Sequence, residues 1–490
     1  MRLPGGVTGF GGGDFQAVYD DDGTVGGGFG NKVGSNNADT TDAAFATVGG
    51  GVFNGASAYA ATVGGGDGNL AGGQRSGVLG GFGNQALGTF SFVGGGMQNL
   101  IQTNATHAVV AGGQQNSVAD SHTFIGAGTN NTIQTGARAA AIVGGSQNTI
   151  QTNAFNSTIA GGVQNVIQYG SSLDSGAYCF IGAGMQNTIQ HDAAASVIGG
   201  GLNNTIEFNC QVNNIGGGEL NSIAKGLGFL DASAFSLIAG GYQNVIVGTI
   251  YASIGGGQTN FIGNGSTHAT IAGGWNNTTG ANSLNAAIGG GSFNFIQANA
   301  QNATIGGGTL NSCLASIGTV PGGYNNIAGF SSFAAGTQAR ATNDSSFVWS
   351  DNQGVPFGST ANNQVSFRCQ GGVRFTSGSG TANQTVSWTP GSASWSFSSD
   401  RDLKEAFEPV NGMQVLEKVA RLPISEWKYK GYSQRHIGAM AQDFHAAFPL
   451  NESTTTLILV RVQVETNNPR PCTEAPHPVS IRSQPWQAGF

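Results

Sequence analysis

The chain carries little charge. Only 9% of its 490 residues are Asp, Glu, Lys or Arg, against about a quarter in ordinary globular domains. The net charge is −7, and no Lys/Arg stripe is available to displace phosphate counterions, which excludes nucleic acid as a partner. Cysteine is scarce too: Cys179, Cys210, Cys313, Cys369 and Cys472 are far apart and never form a C-x-x-C pair. That excludes a zinc or disulfide framework and leaves them as small buried hydrophobes. No run of about 20 apolar residues is present, so no membrane-inserted helix is expected. The start, Met1-Arg2-Leu3-Pro4-Gly5-Gly6, lacks the apolar core of a signal peptide. A protein acting outside the cell would then leave by lysis or with a particle, or lack its true start. Nothing calls for a cofactor or metal.

What the chain has is glycine, 84 residues of it, set in a repeat. The unit is an aliphatic residue, three small residues (mostly Gly), two variable positions, Asn, one variable position and often Ile. Clear copies begin at Val93, Ile198, Ile254, Ile271, Ile288 and Ile305, the last four 17 residues apart. Weaker copies bring the series to about eighteen between Val25 and Val320. The asparagine returns as Asn99, Asn116, Asn131, Asn165, Asn187, Asn204 and onward to Asn326. Three consecutive glycines forbid a helix through the motif, and the period is too short for helix-pair repeats. Two short strands and two tight turns fit it. Aliphatic side chains would stack inward coil on coil, and the asparagines would form a hydrogen-bonded ladder of the kind seen in stacked strands. The fold class is therefore mainly β, a parallel β-roll or β-solenoid followed by a small α+β domain. A coil of about 16 residues encloses little apolar volume, so several chains side by side are expected, a homotrimer first.

The repeats carry no obvious chemistry. Calcium-binding nonapeptides need an aspartate in each turn, and Asp67 stands nearly alone. An ice-binding face needs a regular threonine array, whereas Thr47, Thr62, Thr158, Thr270 and Thr304 are scattered. A glycan-cleaving site needs a carboxylate pair; Asp174, Asp192, Glu207, Glu219 and Asp231 are sparse. Triplets such as Asn104-Ala105-Thr106 follow from composition and carry no glycosylation argument. A passive stalk or a receptor-binding head, with a host-surface glycan or receptor as its partner, is the expected role. In its aliphatic-Gly-Gly-Gly steps this segment resembles the head repeats of trimeric autotransporter adhesins and related phage tail fibres. The resemblance implies a left-handed parallel β-roll with three chains side by side, on a virion tail or a bacterial surface.

Five segments are expected: a lead-in at 1–24, repeats at 25–344, a β collar at 345–395, a charged domain at 396–450 and a proline-rich tail at 451–490. Within 345–395, Ser346–Asp351, Gln364–Arg368 and Gly371–Phe375 alternate like strands and would cap the last coil. Residues 396–450 hold 14 of the 43 charged residues but three of the 84 glycines. There Ser399 followed by Asp402 has capping-box character and predicts a helix opening at Asp400. Met413, Leu416, Val419 and Leu422 predict a second helix ended by Pro423. Ile424–Tyr429 reads as a strand, and Ile437–Phe444 leads into a further helix.

Ser399-Asp400-Arg401-Asp402-Leu403-Lys404, Leu416-Glu417-Lys418-Val419, Trp427-Lys428-Tyr429 and His436-Ile437-Gly438-Ala439-Met440-Ala441-Gln442-Asp443 through Phe448-Pro449 resemble the intramolecular chaperone of phage tailspikes, peptidase family S74. The resemblance implies a domain that drives trimer assembly and then cuts itself away by a Ser–Lys dyad, with Ser399 as nucleophile and Lys404 as base. A serine needs an adjacent base, and lysine serves only if burial holds it neutral. The bland alternative is an N-cap at Ser399 and a solvated Lys404. His436 reads as packing or a trimer contact as readily as a catalytic partner. The family continues into a trimeric coiled coil, but Pro469, Pro471, Pro476, Pro478 and Pro485 exclude one here, and 461–490 is expected to be disordered. A passive adhesin with an inactive trimerisation domain and a carbohydrate-degrading spike remain the alternatives.

Overall fold

A computed structural model describes residues 9–10, 12–37, 39–168, 178–226, 228, 232–378, 384–397, 401–449 and 487–488. The chain forms two compact units, Met1–Arg368 and Cys369–Phe490.

The first unit is a parallel β-solenoid of about twenty turns. Each coil opens with a two-residue strand ending in the aliphatic residue of the repeat. Val197–Ile198 pairs with Asn214–Ile215, and Asn214–Ile215 with Leu237–Ile238, so equivalent residues stand one above the next. A second strand follows, as in Thr205–Ile206 on Ser222–Ile223. Between the two runs a third line of single-residue bridges, Met185–Leu202–Glu219–Tyr242. Two strands per coil were expected; the third side arises because three small residues turn the chain twice within a few positions. The third of them shows why only glycine serves: Gly201 has φ +95°, and a Cβ there would lie 2.0 Å from the Gly218 carbonyl oxygen in the next coil.

Alternation puts two aliphatic residues of each coil inside, eight positions apart. Ile198 with Ile206 and Ile215 with Ile223 are fully buried, and each such side chain contributes roughly 1.5–3 kcal/mol. The core is thus two residues wide. It narrows towards both ends, where Val63 with Ala71 and Val320 with Ala328 take the same places. Cys179, Cys210 and Cys313 are buried in it, and desolvation pushes their thiols up to about 11, 11 and 12. They behave as the small hydrophobes expected; Cys472 lies outside the described residues.

The asparagines do form the expected ladder. The Asn204 amide nitrogen donates to the Gly200 carbonyl at 2.9 Å in its own coil, to the Gly218 carbonyl at 2.9 Å in the next, and to Asn187 Oδ1 at 3.0 Å in the previous one. Its own Oδ1 accepts from the Asn221 backbone N–H at 3.0 Å and from the Asn221 side chain at 3.1 Å. The ladder is longer than the sequence series: Asn31, Asn54, Asn69, Asn84 and Asn148 belong to it. At its end Asn326 Oδ1 accepts from the Ala339 backbone N–H at 2.9 Å.

The segment expected as a collar is divided between the units. Phe347–Ser350 and Val365–Arg368 continue the first sheet in parallel register. The second unit begins at Cys369, with an antiparallel run of Val373–Ser377, Gln384–Trp388 and Trp395–Phe397. Gln487–Ala488 pairs with the last of these; the rest of 451–490, including the prolines of the expected disordered tail, lies outside the described residues. Beyond the sheet come a 3-10 turn at Arg401–Leu403, helix α1 at Gly412–Ala420, a hairpin of Ser425–Trp427 and His436–Gly438, and helix α2 at Ala441–Ala447.

Three stability outcomes follow from the first unit. Asn204→Ala strips partners from backbone groups of its own coil and the next and from the Asn187 side chain, and should lower stability by roughly 2–5 kcal/mol. Thr279 sits in an inner aliphatic column, fully buried, with a hydroxyl that has no partner. Thr279→Val keeps its shape and should raise stability by about 1 kcal/mol; thermal unfolding of the two variants reads both. Asp20 is also fully buried, and burial, then the charge of Asp42 and its hydrogen bond, pushes its pKa up to about 6, with Asp39 adding to the repulsion. Because the folded form prefers the protonated acid, the first coils should be most stable below pH ~4 and lose up to about 3 kcal/mol as pH rises through 6. Amide exchange of residues 18–33 at pH 4 and pH 7 should show this loss, and Asp20→Asn should abolish it.

Candidate cleavage and assembly site

The second unit owes its structure to local signals more than to a core. The helix expected to open at Asp400 is only the 3-10 turn Arg401–Leu403. Two features stop it from propagating: Ala406 has φ +56°, and Pro409 biases the residue before it away from helix. The first α-helix begins at Gly412 instead, capped by Asn411, whose Oδ1 accepts from the Met413 and Gln414 backbone N–H groups at 3.1 and 3.3 Å. It runs to Ala420 ahead of Pro423, as expected. The strand and second helix also fall where the sequence placed them.

Ser399 lies outside the described residues, so the geometry of the dyad is not defined from its side. Lys404 follows the 3-10 turn, its backbone N–H donating to the Arg401 carbonyl at 3.1 Å, and it is exposed in the single chain. Arg401 lies over the Phe407 ring at 4.9 Å.

His436 is taken up in packing. Its ring stacks on Trp427 at 4.6 Å, and Tyr429 meets Trp427 edge-on at 5.1 Å. The Trp427 indole nitrogen is buried without a hydrogen-bond partner. Across the same hairpin Arg435 pairs with Glu426 at 2.6 Å, but both are well exposed, so the pair is worth little. The stack was not read from the sequence, although Trp427 and His436 both stood in its motifs.

The unit's apolar side chains are largely uncovered. Neither helix buries a residue. Val410, Met413 and Ile437 are 75–78% exposed, and Leu416, Ile424, Tyr429 and Tyr432 are also exposed. The spacing of Met413, Leu416 and Val419 announced an amphipathic helix, yet within one chain its apolar side meets solvent. Such a concentration of exposed apolar surface marks an interaction face.

The carboxylates singled out in the repeats are not brought together among the described residues. Asp174 and Asp231 lie outside the described residues. Asp192 pairs with its neighbour His191 at 3.0 Å, Glu207 accepts from the Lys225 backbone N–H at 3.2 Å, and Glu219 stands in a different column. Among the described residues no three His, Cys, Asp or Glu side chains are grouped to hold a metal, and no helix is long and apolar enough to cross a membrane.

Comparison with known families places a match at residues 399–451, to peptidase S74, described as the chaperone of endosialidase. The match spans Lys404, α1, the hairpin and α2. No curated protein matches the chain.

Proposed function

We propose that the chain, which carries an S74 chaperone segment after a long β-solenoid, is a homotrimeric fibre protein of a phage tail or bacterial surface whose C-terminal unit assists assembly and then severs itself beside Ser399. The observation that carries this reading is the uncovered apolar face of residues 407–437 within a segment that matches an assembly chaperone. A unit that buries so little by itself gains its stability from neighbours, and identical neighbours are the simplest supply.

The chemistry follows from the residue types. Ser399 Oγ would add to the carbonyl carbon of the adjacent peptide bond while its proton passes to Lys404 Nζ. That proton then goes to the leaving amine, and water hydrolyses the ester formed. Lysine can accept a proton only when neutral, which needs desolvation. Lys404 is exposed in one chain, so in this reading the neighbouring copies supply the burial, and cleavage waits for assembly.

Freshly purified protein should run as a trimer on unboiled gels. Boiling should release a small fragment of about 91 residues, the length beyond Ser399. Ser399→Ala and Lys404→Ala should each leave the chain whole while Ser399→Ala remains trimeric. Cleavage at the same bond in Ser399→Ala would sink the dyad. An intact unaltered chain that still trimerises would favour the passive adhesin instead.

A further inference from the structure

The three small residues of the repeat are not equal. The third is fixed by its own chain: Gly51, Gly66, Gly113 and Gly162 have φ of 88–96°, and a Cβ on any of them would lie 2.0–2.3 Å from a backbone oxygen of the next coil. The middle one is not fixed in this way. At Gly112 and Gly161 a Cβ would meet nothing within 4 Å, and at Gly50, Gly65 and Gly144 the nearest atom is 3.8–3.9 Å away. None of these five has a positive φ. Ala127 and Ala183 occupy the same place in other coils, so a methyl group is accepted. In seven other coils, Gly95 and Gly256 among them, the middle glycine has a φ of 144–159°, which itself disfavours a side chain; in the remaining coils larger residues are missing all the same between Gly50 and Gly322, although the single chain leaves room for them.

Features of the columns that flank the track point to what excludes them. On one side of the glycine track, the residue before each inner aliphatic leaves Phe92, Phe124 and Leu237 exposed. On the other, the bridge column leaves Phe82, Met185 and Trp275 exposed. Charge is almost absent: across these columns between Thr24 and Tyr324 only Asp67 and Glu219 carry one. A strip with almost no charge, a backbone floor and aromatic residues exposed along it has the character of an interface centre rather than of a free surface.

The length of the strip also fits. About twenty turns rising 4.7–4.9 Å each give a strip of roughly 95 Å, and three residue columns a width of about 10 Å. That is on the order of 950 Å² per face, against about 800 Å² per partner in a standard interface. We infer that the middle-glycine track is the seam along which the other copies of this chain pack, an exposed ridge of one solenoid lying on the glycine floor of the next. A second copy fits this strip better than a foreign partner, because only another solenoid repeats its ridge with the same rise, coil for coil. The inference rests on the three-copy reading above and assigns that reading a surface.

The test uses the full chain bearing Ala183→Cys, which adds one sulfur to an existing methyl group on the track. Gln85→Cys, exposed on the second sheet, is the control. Maleimide labelling is followed peptide by peptide while light scattering fixes the mass. In protein of three-chain mass, the thiol from Ala183→Cys should react at least tenfold more slowly than the one from Gln85→Cys, and the two should be equal after denaturation. Equal rates in a protein of three-chain mass would overturn the seam and leave the trimer standing. A single-chain mass for the unaltered protein would overturn both. Gly161→Arg and Gln85→Arg form a second arm: loss of assembly or a lower Tm for the first alone supports the seam, and equal behaviour overturns it.

Discussion

The fold depends on one hydrogen-bonding group repeated at one place. The buried asparagine both donates and accepts, so a single side chain satisfies carbonyls of its own coil and the next while receiving the backbone N–H of its successor. Aspartate could not donate and serine could not reach, so the position admits little else. Because Asn204 contacts the coils before and after it, each coil is defined only by its neighbours, and stability accumulates along the stack rather than within any one turn. The two aliphatic columns add the apolar term, but they could not fix the register alone: Ile198 would pack as well against a slipped neighbour. The ladder removes that freedom. It also keeps the register through the longer coils, where Ile159 still pairs with Ile181 and Ile215 with Ile238.

A ladder of this kind constrains the corner beside it. The asparagine must approach two glycine carbonyls closely, which puts the third small residue at positive φ and leaves no space for a side chain. The corner residue before the asparagine is also left-handed, as at Gln98, Gln164 and Asn203, and asparagine and glutamine recur there. For Asn the preference has a cause, since its short polar side chain tolerates this conformation. Strain of about 1 kcal/mol per corner is therefore offset in every coil by the bonds that the corner makes available. At the first coils the offset is incomplete, because Asp20 is buried beside Asp42 where an uncharged group would cost less.

Much of this was legible before any coordinates, and the rest was hidden for definite reasons. The inner aliphatic and asparagine columns announce themselves because burial restricts them to a few residue types. The third side of the coil could not be read: its residues face outward, so Asp67, Met97, Ser146 and Trp275 share a position without sharing chemistry. Five ladder asparagines, Asn69 among them, stand outside the series read from the sequence, although each lies six residues after a buried aliphatic residue, Val25, Val48, Val63, Val78 or Ile142. Near the site, the capping pattern at Ser399 and Asp402 was real as a pattern, but Ala406 and Pro409 outweigh it and allow only one short turn. What no sequence pattern exposed was the lack of burial. Met413, Leu416 and Val419 read as a helix face, and only the three-dimensional arrangement leaves that face uncovered.

That lack of burial joins the two halves of the functional argument. Lys404 would need desolvation to act as a base, and the apolar residues around it need cover. In the reading proposed above, both requirements would be met by the same event, the arrival of other copies, and a cleavage centre of this type would need no separate trigger. The solenoid has the corresponding property in a different form. Its glycine track stays smooth even in coils where the single chain gives no steric reason for it, as at Gly112 and Gly161, and only Asp67 and Glu219 bring charge to the columns beside it. An isolated chain therefore leaves each unit with an exposed face whose composition is that of an interior. A bond cut before those faces were covered would separate the chaperone segment from an unassembled fibre. In the reading proposed above, a base that works only once covered would avoid that order of events.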